Sequence, residues 1–356
     1  MNRIPGAITP EQHAEGQTKQ RARTAQEKLA RANKERDEWK LQALASKDAY
    51  DKLAAEYELV QSVDVGNAEA VEIEPTTAHN KNESCALSFL SDVHPFEVVK
   101  KQEVNGLNEY NPVIASASIK QFFQKTVLLT NIHRHATTIN TLVLGCLGDL
   151  ISNQLHDDQK ETNAGTPQEE ILFMMEHLEG GIDFLLEHGG YKKIVVVGCH
   201  GNHDRGTEYK QFAKQALHSH SWLLYKLLER VYRDTKKEKR VSFEISDGYL
   251  LYAPIYEKMW RFHHGDAIKY QGGIGGLAVP ANRMIKGWNS AKAADYDVFG
   301  HWHHSLQGEA FFSVGSIMGY SAYGSEHGMP YEAPQQRFLL CDKKRGITGD
   351  HRIFVR

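Results

Sequence analysis

Five short polar clusters along the chain carry residue types that bind divalent metals: Asp92-Val93-His94, Gly148-Asp149, Gly201-Asn202-His203-Asp204, His264-Gly265 and Gly300-His301-Trp302-His303. Together they supply carboxylate oxygens, an amide oxygen and imidazole nitrogens. A pair of divalent ions about 3.5 to 4 Å apart needs such donors from several loops, one carboxylate able to bridge, and open positions for water and substrate. Taken singly, each cluster is a weak signal. Asp-x-His recurs by chance, and an Asp after Gly is usually a turn or a helix cap. Gly-Asn-His-Asp says more, because it sets an amide oxygen beside an ionisable ring on a tight turn. Gly-His-Trp-His can serve as a two-ligand turn, though His-rich turns are also plain surface. The specificity lies in the order of the five.

Each cluster follows an apolar run of strand composition. Residues 85–90 (CALSFL) run into Ser91-Asp92, 141–147 (TLVLGCL) into Gly148-Asp149, and 193–197 (KIVVV) through Gly198-Cys199-His200 into Gly201. Likewise 260–263 (WRFH) run into His264, and 296–299 (YDVF) into Gly300. Buried strands of a layered α/β domain read this way, and open sheets place their sites at the C-terminal ends of such strands. Apolar residues at spacings of three and four predict helices over Pro167–Glu187 and Tyr209–Tyr232. FFSVGSI, RFLLCD and HRIFV, after His304, read as further strands, so the domain runs over residues 85–356.

Upstream the chain changes character. Residues 1–61 include a long segment rich in Ala, Glu, Lys, Arg and Gln, with no Pro or Gly after Gly16, which predicts a long charged helix. Its apolar residues (Leu29, Trp39, Leu41, Leu44, Tyr50, Leu53, Tyr57, Val60) come at mixed spacings. Coiled-coil self-association into a homo-oligomer, packing on its own catalytic domain, and plain solvation all remain open for this helix. Residues 62–84, acidic and polar, read as a linker. The charge run Arg230–Arg240 reads as a solvated helix end and turn.

The 356 residues carry a formal net charge of −3, which excludes a global positive field of the kind that advertises nucleic-acid binding and leaves room only for a local basic groove. The four cysteines, Cys85, Cys146, Cys199 and Cys341, are too scattered for a disulfide framework and suit a reducing compartment. The N-terminal stretch has no apolar signal region and no run is long enough to span a bilayer, so the expectation is a soluble, unexported, cytoplasmic protein without membrane contact.

The ordered series Asp-x-His, Gly-Asp, Gly-Asn-His-Asp, His-Gly, Gly-His-x-His resembles the signature of the calcineurin-like metallophosphoesterase superfamily, with no element missing. The resemblance implies an α/β fold, a layered β-sandwich flanked by helices, here with a long N-terminal helix added. It implies that Asp92, His94 and His303 hold one metal, that Asn202, His264 and His301 hold another, and that Asp149 bridges them. Manganese is favoured over magnesium by the share of imidazoles, with iron and zinc also suited. His203 resembles the family's non-ligand proton donor, with a metal-activated hydroxide attacking phosphorus. Asp204, beside it, can orient the ring and keep it protonated near neutrality. Arg205 can clamp a phosphate oxygen or brace its own loop. His263 and His304 compete with His264 and His303 by one residue each, and His200 reads as a neighbour or as surface. The long separation of Asp92 from Asp149 implies an insertion at 97–138, a turn followed by an amphipathic helix.

NGLNEYNP, GDLISNQLHDD and FHHGDAIKYQGGIGGL are similar to phosphoesterases of bacteriophage and prophage genomes that resemble DNA-repair exonucleases, which would place the protein in a host cytoplasm. The glycine-rich stretch from Ile268 to Asn289 reads either as a substrate contact or as a plain connection. The leading expectation is a phosphodiesterase or nuclease acting on a phosphodiester such as DNA. A phosphomonoesterase, and a structural module carried by the helix, are the alternatives.

Overall fold

A computed structural model of the chain describes residues 10–62, 82–155, 157–233, 238–270 and 276–356. Most of the expected linker (63–81), the centre of the Arg230–Arg240 charge run (234–237) and part of the glycine-rich stretch (271–275) lie outside the described residues. The chain divides into two compact units, Met1–Thr76 and Thr77–Arg356. In the first, α1 (Pro10–Ser62) is the expected long helix.

The second unit is built on two sheets. β1 (Glu83–Leu90), β2 (Thr138–Leu147), β3 (Lys193–Cys199) and β4 (Val241–Ile245) lie parallel and adjacent. With β9 (Gln335–Asp342) and β10 (Gly346–Phe354), which join antiparallel at the β1 edge, they form a six-stranded sheet. β5 (Leu251–Ile255), β6 (Lys258–His263), β7 (Tyr296–Phe299) and β8 (Phe311–Ser313) make a four-stranded one.

Alternation along the strands sends side chains to two different cores. Leu142, Leu144 and Cys146 of β2 face one way, into a core shared with Phe122, Leu178, Ile182 and Leu224. Those partners come from the helices α2 (Pro112–Arg134), α4 (Pro167–His188) and α5 (His220–Arg233). Val143 and Leu147 face the other way, together with Leu87, Phe89 and Val197, and meet Trp260, Phe262, Val298 and Phe312 of the second sheet. The far side of that second sheet packs Phe299 and Phe311 against Ala281 and Ile285 of α6 (Ala278–Ala291). Hence the layers run helices, sheet, sheet, helix, which is the expected class of α/β sandwich flanked by helices.

The turn and helix read over 97–138 are present, with α2 started by Pro112 and by Asn111, whose side chain accepts from Val113 N–H and Ile114 N–H at 3.0 Å each. The helix expected from Tyr209 starts late, at His220. The backbone N–H of His220 donates to Asp204 O and that of Gly206 to His218 O, both at 2.7 Å, so residues 206–219 close as a loop on the Gly-Asn-His-Asp turn instead of continuing a helix. Two strands had no signal strong enough to be read. β4 is an edge strand with one buried residue, and β5 carries Pro254, which an edge position tolerates. Among the described residues no helix is long and apolar enough to cross a membrane.

Trp260 is fully buried between the sheets, whereas Leu29 on α1 is 61% exposed. Trp260→Ala should therefore lower unfolding free energy by about 3 to 5 kcal/mol, and Leu29→Ala by about 0.5 kcal/mol or less in the monomer. Paired denaturant titrations of the two variants check this.

Candidate metal centre

The strand ends bring the candidate ligands to one place. Ligand atoms of Asp92, His94 and His303 lie within 4.8 Å of one another, and so do those of Asp149, His264 and His301. β1 leads to Asp92 and His94, β2 to Asp149 and β3 to Asn202. β6 leads to His264, and β7 to His301 and His303. The centre therefore sits across the ends of both sheets, and neither sheet alone contains it.

Asp149 stands between the two groups. Its Oδ2 lies 3.0 Å from His264 Nε2 and 3.9 Å from His94 Nε2. Asn202 Oδ1 is 3.0 Å from the same His264 nitrogen, which adds the amide to the second group. In the first group His303 Nε2 lies 3.3 Å from Asp92 Oδ1. The groups are also tied through the backbone: His301 N–H donates to both Asp92 oxygens at 3.0 Å, and Val93 N–H donates to Asp149 O at 2.9 Å.

The local backbone is unusual where these side chains sit. Five of the nine non-glycine residues with positive φ among the described residues are candidate ligands: Asp92, His94, Asp149, His301 and His303. Left-handed backbone costs energy for such residues and persists only where the surroundings enforce it. The glycines of the motifs permit the close approach of the loops. At Gly148, φ is +93°, and a Cβ there would lie 2.6 Å from Gly201 N and 2.8 Å from the His264 ring.

The donor chemistry fits a cation. His264 Nδ1 is 2.8 Å from the carbonyl oxygen of Leu147, which can only accept, so the ring's N–H points there. That leaves a buried Nε2 lone pair facing the Asp149 carboxylate and the Asn202 amide oxygen, three acceptors with nothing to share among them. Only a proton or a metal ion reconciles them. Without metal the proton takes that place: burial pushes the His264 imidazole down, but the Asp149 carboxylate overcomes it and holds the ring up to about 10. His94, with a buried Nδ1 that has no hydrogen-bond partner among the described residues, is pushed down to about 3 by burial and then by the His203 ring. His301 is pushed down to about 4 by burial and then by His264. Both rings thus keep free lone pairs at neutral pH, as ligands must.

The one-residue competitors fall elsewhere. His263 is buried on the α6 side of its sheet, its ring 4.8 Å from that of Trp288 and 5.1 Å from that of Phe299. His304 lies beside Glu332, with Nδ1 3.4 Å from Oε2, and His200 Nε2 is 3.2 Å from Gly248 O.

His203 reaches the centre, its ring centroid 4.9 Å from that of His94, and its backbone N–H donates to Asp149 Oδ1 at 2.8 Å. Asp204 is used differently from the sequence expectation. Its carboxylate accepts from the backbone N–H groups of Asp149, Leu150 and Gly201 at 3.0, 3.2 and 2.6 Å, so it locks two ligand loops together. The His203 ring is held instead through Nδ1, which accepts from Gln159 Nε2 at 2.8 Å when it is bare and donates to Ser152 O at 3.1 Å when it carries a proton. Gln159 lies on α3 (Asp157–Thr162). The Arg205 guanidinium donates to Asn202 O and, at 3.3 Å, to Glu208 O, the loop-bracing alternative.

Three residues of this support were not singled out from the sequence. Asn153 donates through Nδ2 to His203 O and Arg205 O at 2.7 Å each. Its own N–H donates at 2.9 Å to the buried carboxylate of Glu170 on α4, a group that burial pushes up to about 7. Gln159 is the third. Glu170 stands in a run of acids at a helix start, where carboxylates are common without any partner, so nothing in the pattern marked it.

No family model and no curated protein matches the chain. Among solved structures, it is similar to Vps29 complexed with zinc from Entamoeba histolytica (13% identity, 76% of this chain and 99% of that one, TM-score 0.29). It is also similar to a dimetal phosphatase from Danio rerio (11%, 76% and 99%, TM-score 0.32) and a predicted phosphoesterase from Streptococcus pneumoniae (11%, 76% and 97%, TM-score 0.26). Likenesses at TM-scores this low do not bear on activity, and the chemistry rests on the chain's own side chains.

Asp149→Asn should lose more bound metal than any other single-ligand variant, because its Oδ2 lies between both groups. Metal per chain after reconstitution, by plasma mass spectrometry, checks it. Loading at pH 7 must also displace the His264 proton, since that ring stays protonated up to about 10. Apparent affinity should rise about tenfold per pH unit for that one proton, and His264→Asn should flatten the slope in calorimetric titrations.

Proposed function

We propose that the chain is a two-metal-dependent phosphoesterase of the calcineurin-like type, and that its substrates are phosphodiesters of nucleic acid or nucleotides. The carrying observation is the convergence of Asp92, His94, Asp149, Asn202, His264, His301 and His303, with Asp149 Oδ2 placed between the two groups. When bound, a pair of divalent ions supplies positive charge to a phosphoryl group and acidifies water. Manganese fits this mixed oxygen and imidazole set, which iron and zinc share.

The protein's own contribution is placement. Asp204 fixes the Asp149 and Gly201 loops against each other, and Asn153 fixes the carbonyls of His203 and Arg205. With Nδ1–H donating to Ser152 O, the protonated His203 ring offers Nε2–H to the leaving-group oxygen and gives it a proton. The loop that starts at Arg205 supports the diester reading. It carries the exposed Lys214 beside two exposed rings, Tyr209 (72%) and Phe212 (90%), and Lys210, whose ammonium is paired with Asp266. A cation set beside exposed aromatics suits a strand of phosphates and bases better than a phosphoprotein side chain.

Paired assays with manganese on a phosphodiester and a phosphomonoester test the substrate class, and preference for the monoester would overturn the diester reading. In the same assays His203→Ala should keep both metals while turnover falls by about 10² to 10⁴. The loss should be much smaller for a nitrophenolate leaving group, which departs without a proton, than for the alkoxide of a DNA strand. Equal losses on both would remove His203 from the proton-donor role.

A further inference from the structure

The longest helix among the described residues is α1. Every residue from Ala14 to Leu53 of α1 is exposed, including Leu29 (61%), Trp39 (72%), Tyr50 (71%) and Leu53 (64%). A helix of 53 residues is about 80 Å long at ~1.5 Å per residue. Helices owe most of their stability in water to a packed face.

These residues fall into a seven-residue repeat. With Leu29 at position a, the a series from residue 22 is Ala22, Leu29, Arg36, Ala43 and Tyr50. The d series is Ala25, Ala32, Trp39, Ser46 and Leu53. Only Arg36 and Ser46 interrupt the apolar seam, whereas Leu41 and Leu44 lie off it at f and b. Three of the five ion pairs among the described residues of the helix, Arg23–Glu27 (3.2 Å), Arg31–Glu35 (3.4 Å) and Lys34–Glu38 (3.9 Å), use positions b, c, f and g. The other two, Lys19–Glu15 and Arg36–Asp37, each include an a residue, at the start of the helix and at the polar interruption of the seam.

We propose that α1 docks along this seam onto α1 of a second copy of the chain, as a parallel two-stranded coiled coil. Charge decides the orientation. A parallel pair sets each g residue against the e residue five positions on in the other copy. Glu35 then meets Lys40, while Arg21, Lys28 and Gln42 meet Gln26, Asn33 and Lys47, with no two like charges opposed between g and e. An antiparallel pair sets e against e, and that series (Lys19, Gln26, Asn33, Lys40, Lys47) contains cations and no acid. Across the seam Arg36, the one charged a residue from residue 22 on, faces Arg36 of the second copy with Glu35 of that copy beside it, the kind of polar seam residue that fixes register and strand number at some loss of stability. The particle then carries two copies of the metal centre.

Light scattering on the full chain at tens of micromolar should give twice the 40.3 kDa chain mass. Leu29→Glu with Trp39→Glu should give the monomer mass and leave turnover per chain on a small chromogenic ester unchanged. Leu41→Glu with Leu44→Glu, two changes of the same kind off the seam, should stay dimeric. A monomeric full chain, a larger oligomer, or a dimer that survives the seam variant and breaks in the off-seam one overturns the proposal. Ser46→Cys tests the orientation, since the four native cysteines are buried. Mild oxidation should cross-link it to a covalent dimer, and a dimer of unchanged mass that fails to cross-link overturns the parallel arrangement.

Discussion

The arrangement of the second unit turns on one electrostatic problem. Asp149 and Asp92 are carboxylates with almost no exposure, surrounded by imidazoles whose lone pairs converge on the same space. Burying one charge without a partner costs several kcal/mol. Acceptors crowded together without a donor do not satisfy each other. In the metal-free chain the Asp149 carboxylate meets this by holding a proton on His264, against the burial that would remove it. A divalent cation meets it better, with more charge and several open coordination directions.

That problem explains features that would otherwise be unfavourable. Left-handed backbone at Asp92, His94, Asp149, His301 and His303 is costly, and it is enforced by hydrogen bonds that tie one loop to the next. Asp92 N–H donates to Gly148 O at 3.2 Å, and Ile317 N–H donates to Asp92 O at the same distance. Asp204 spends a buried carboxylate on three backbone donors, and burial followed by the nearby Asp149 charge pushes it up to about 6. The centre is rigid because its loops are cross-linked, and each link uses a polar group that the interior would otherwise penalise.

Support reaches outward from there through the helices. Glu170 on α4 anchors Asn153, Asn153 anchors the carbonyls of His203 and Arg205, and Gln159 on α3 holds the His203 ring. The helix layer thus does two jobs. Leu178 and Ile182 of α4 pack the core, and Glu170, about two to three turns earlier, steadies a loop. The sandwich core between the sheets, with Trp260 and Phe262 against Leu87 and Phe89, keeps the two sets of strand ends in register. Three ligand-bearing ends come from one sheet and two from the other.

Much of this could be read in the chain before any coordinates. The apolar runs before Asp92, Asp149, Asn202, His264 and His301 were legible as strands because buried parallel strands are continuous in sequence and end abruptly at their loops. The ligand types were legible because metal chemistry restricts them to a few residues at short spacings. The long helix followed from its composition. What residues 209–219 do was not legible: their helical spacing is real, but the N–H groups of Gly206 and His220 are drawn to carbonyls that are distant in the sequence pattern. The same holds for Asp204, whose neighbour in sequence is His203 but whose partners are the N–H groups of Asp149 and Leu150, 55 and 54 residues away. Nor could spacing alone separate His264 from His263. Adjacent residues on a strand point to opposite faces, and only the packing of α6 decided which face was core and which was the metal centre. Sequence determines residue types and local periodicity; which side chains meet is decided by long-range packing, because contact energies depend on distances that the chain acquires only when it folds.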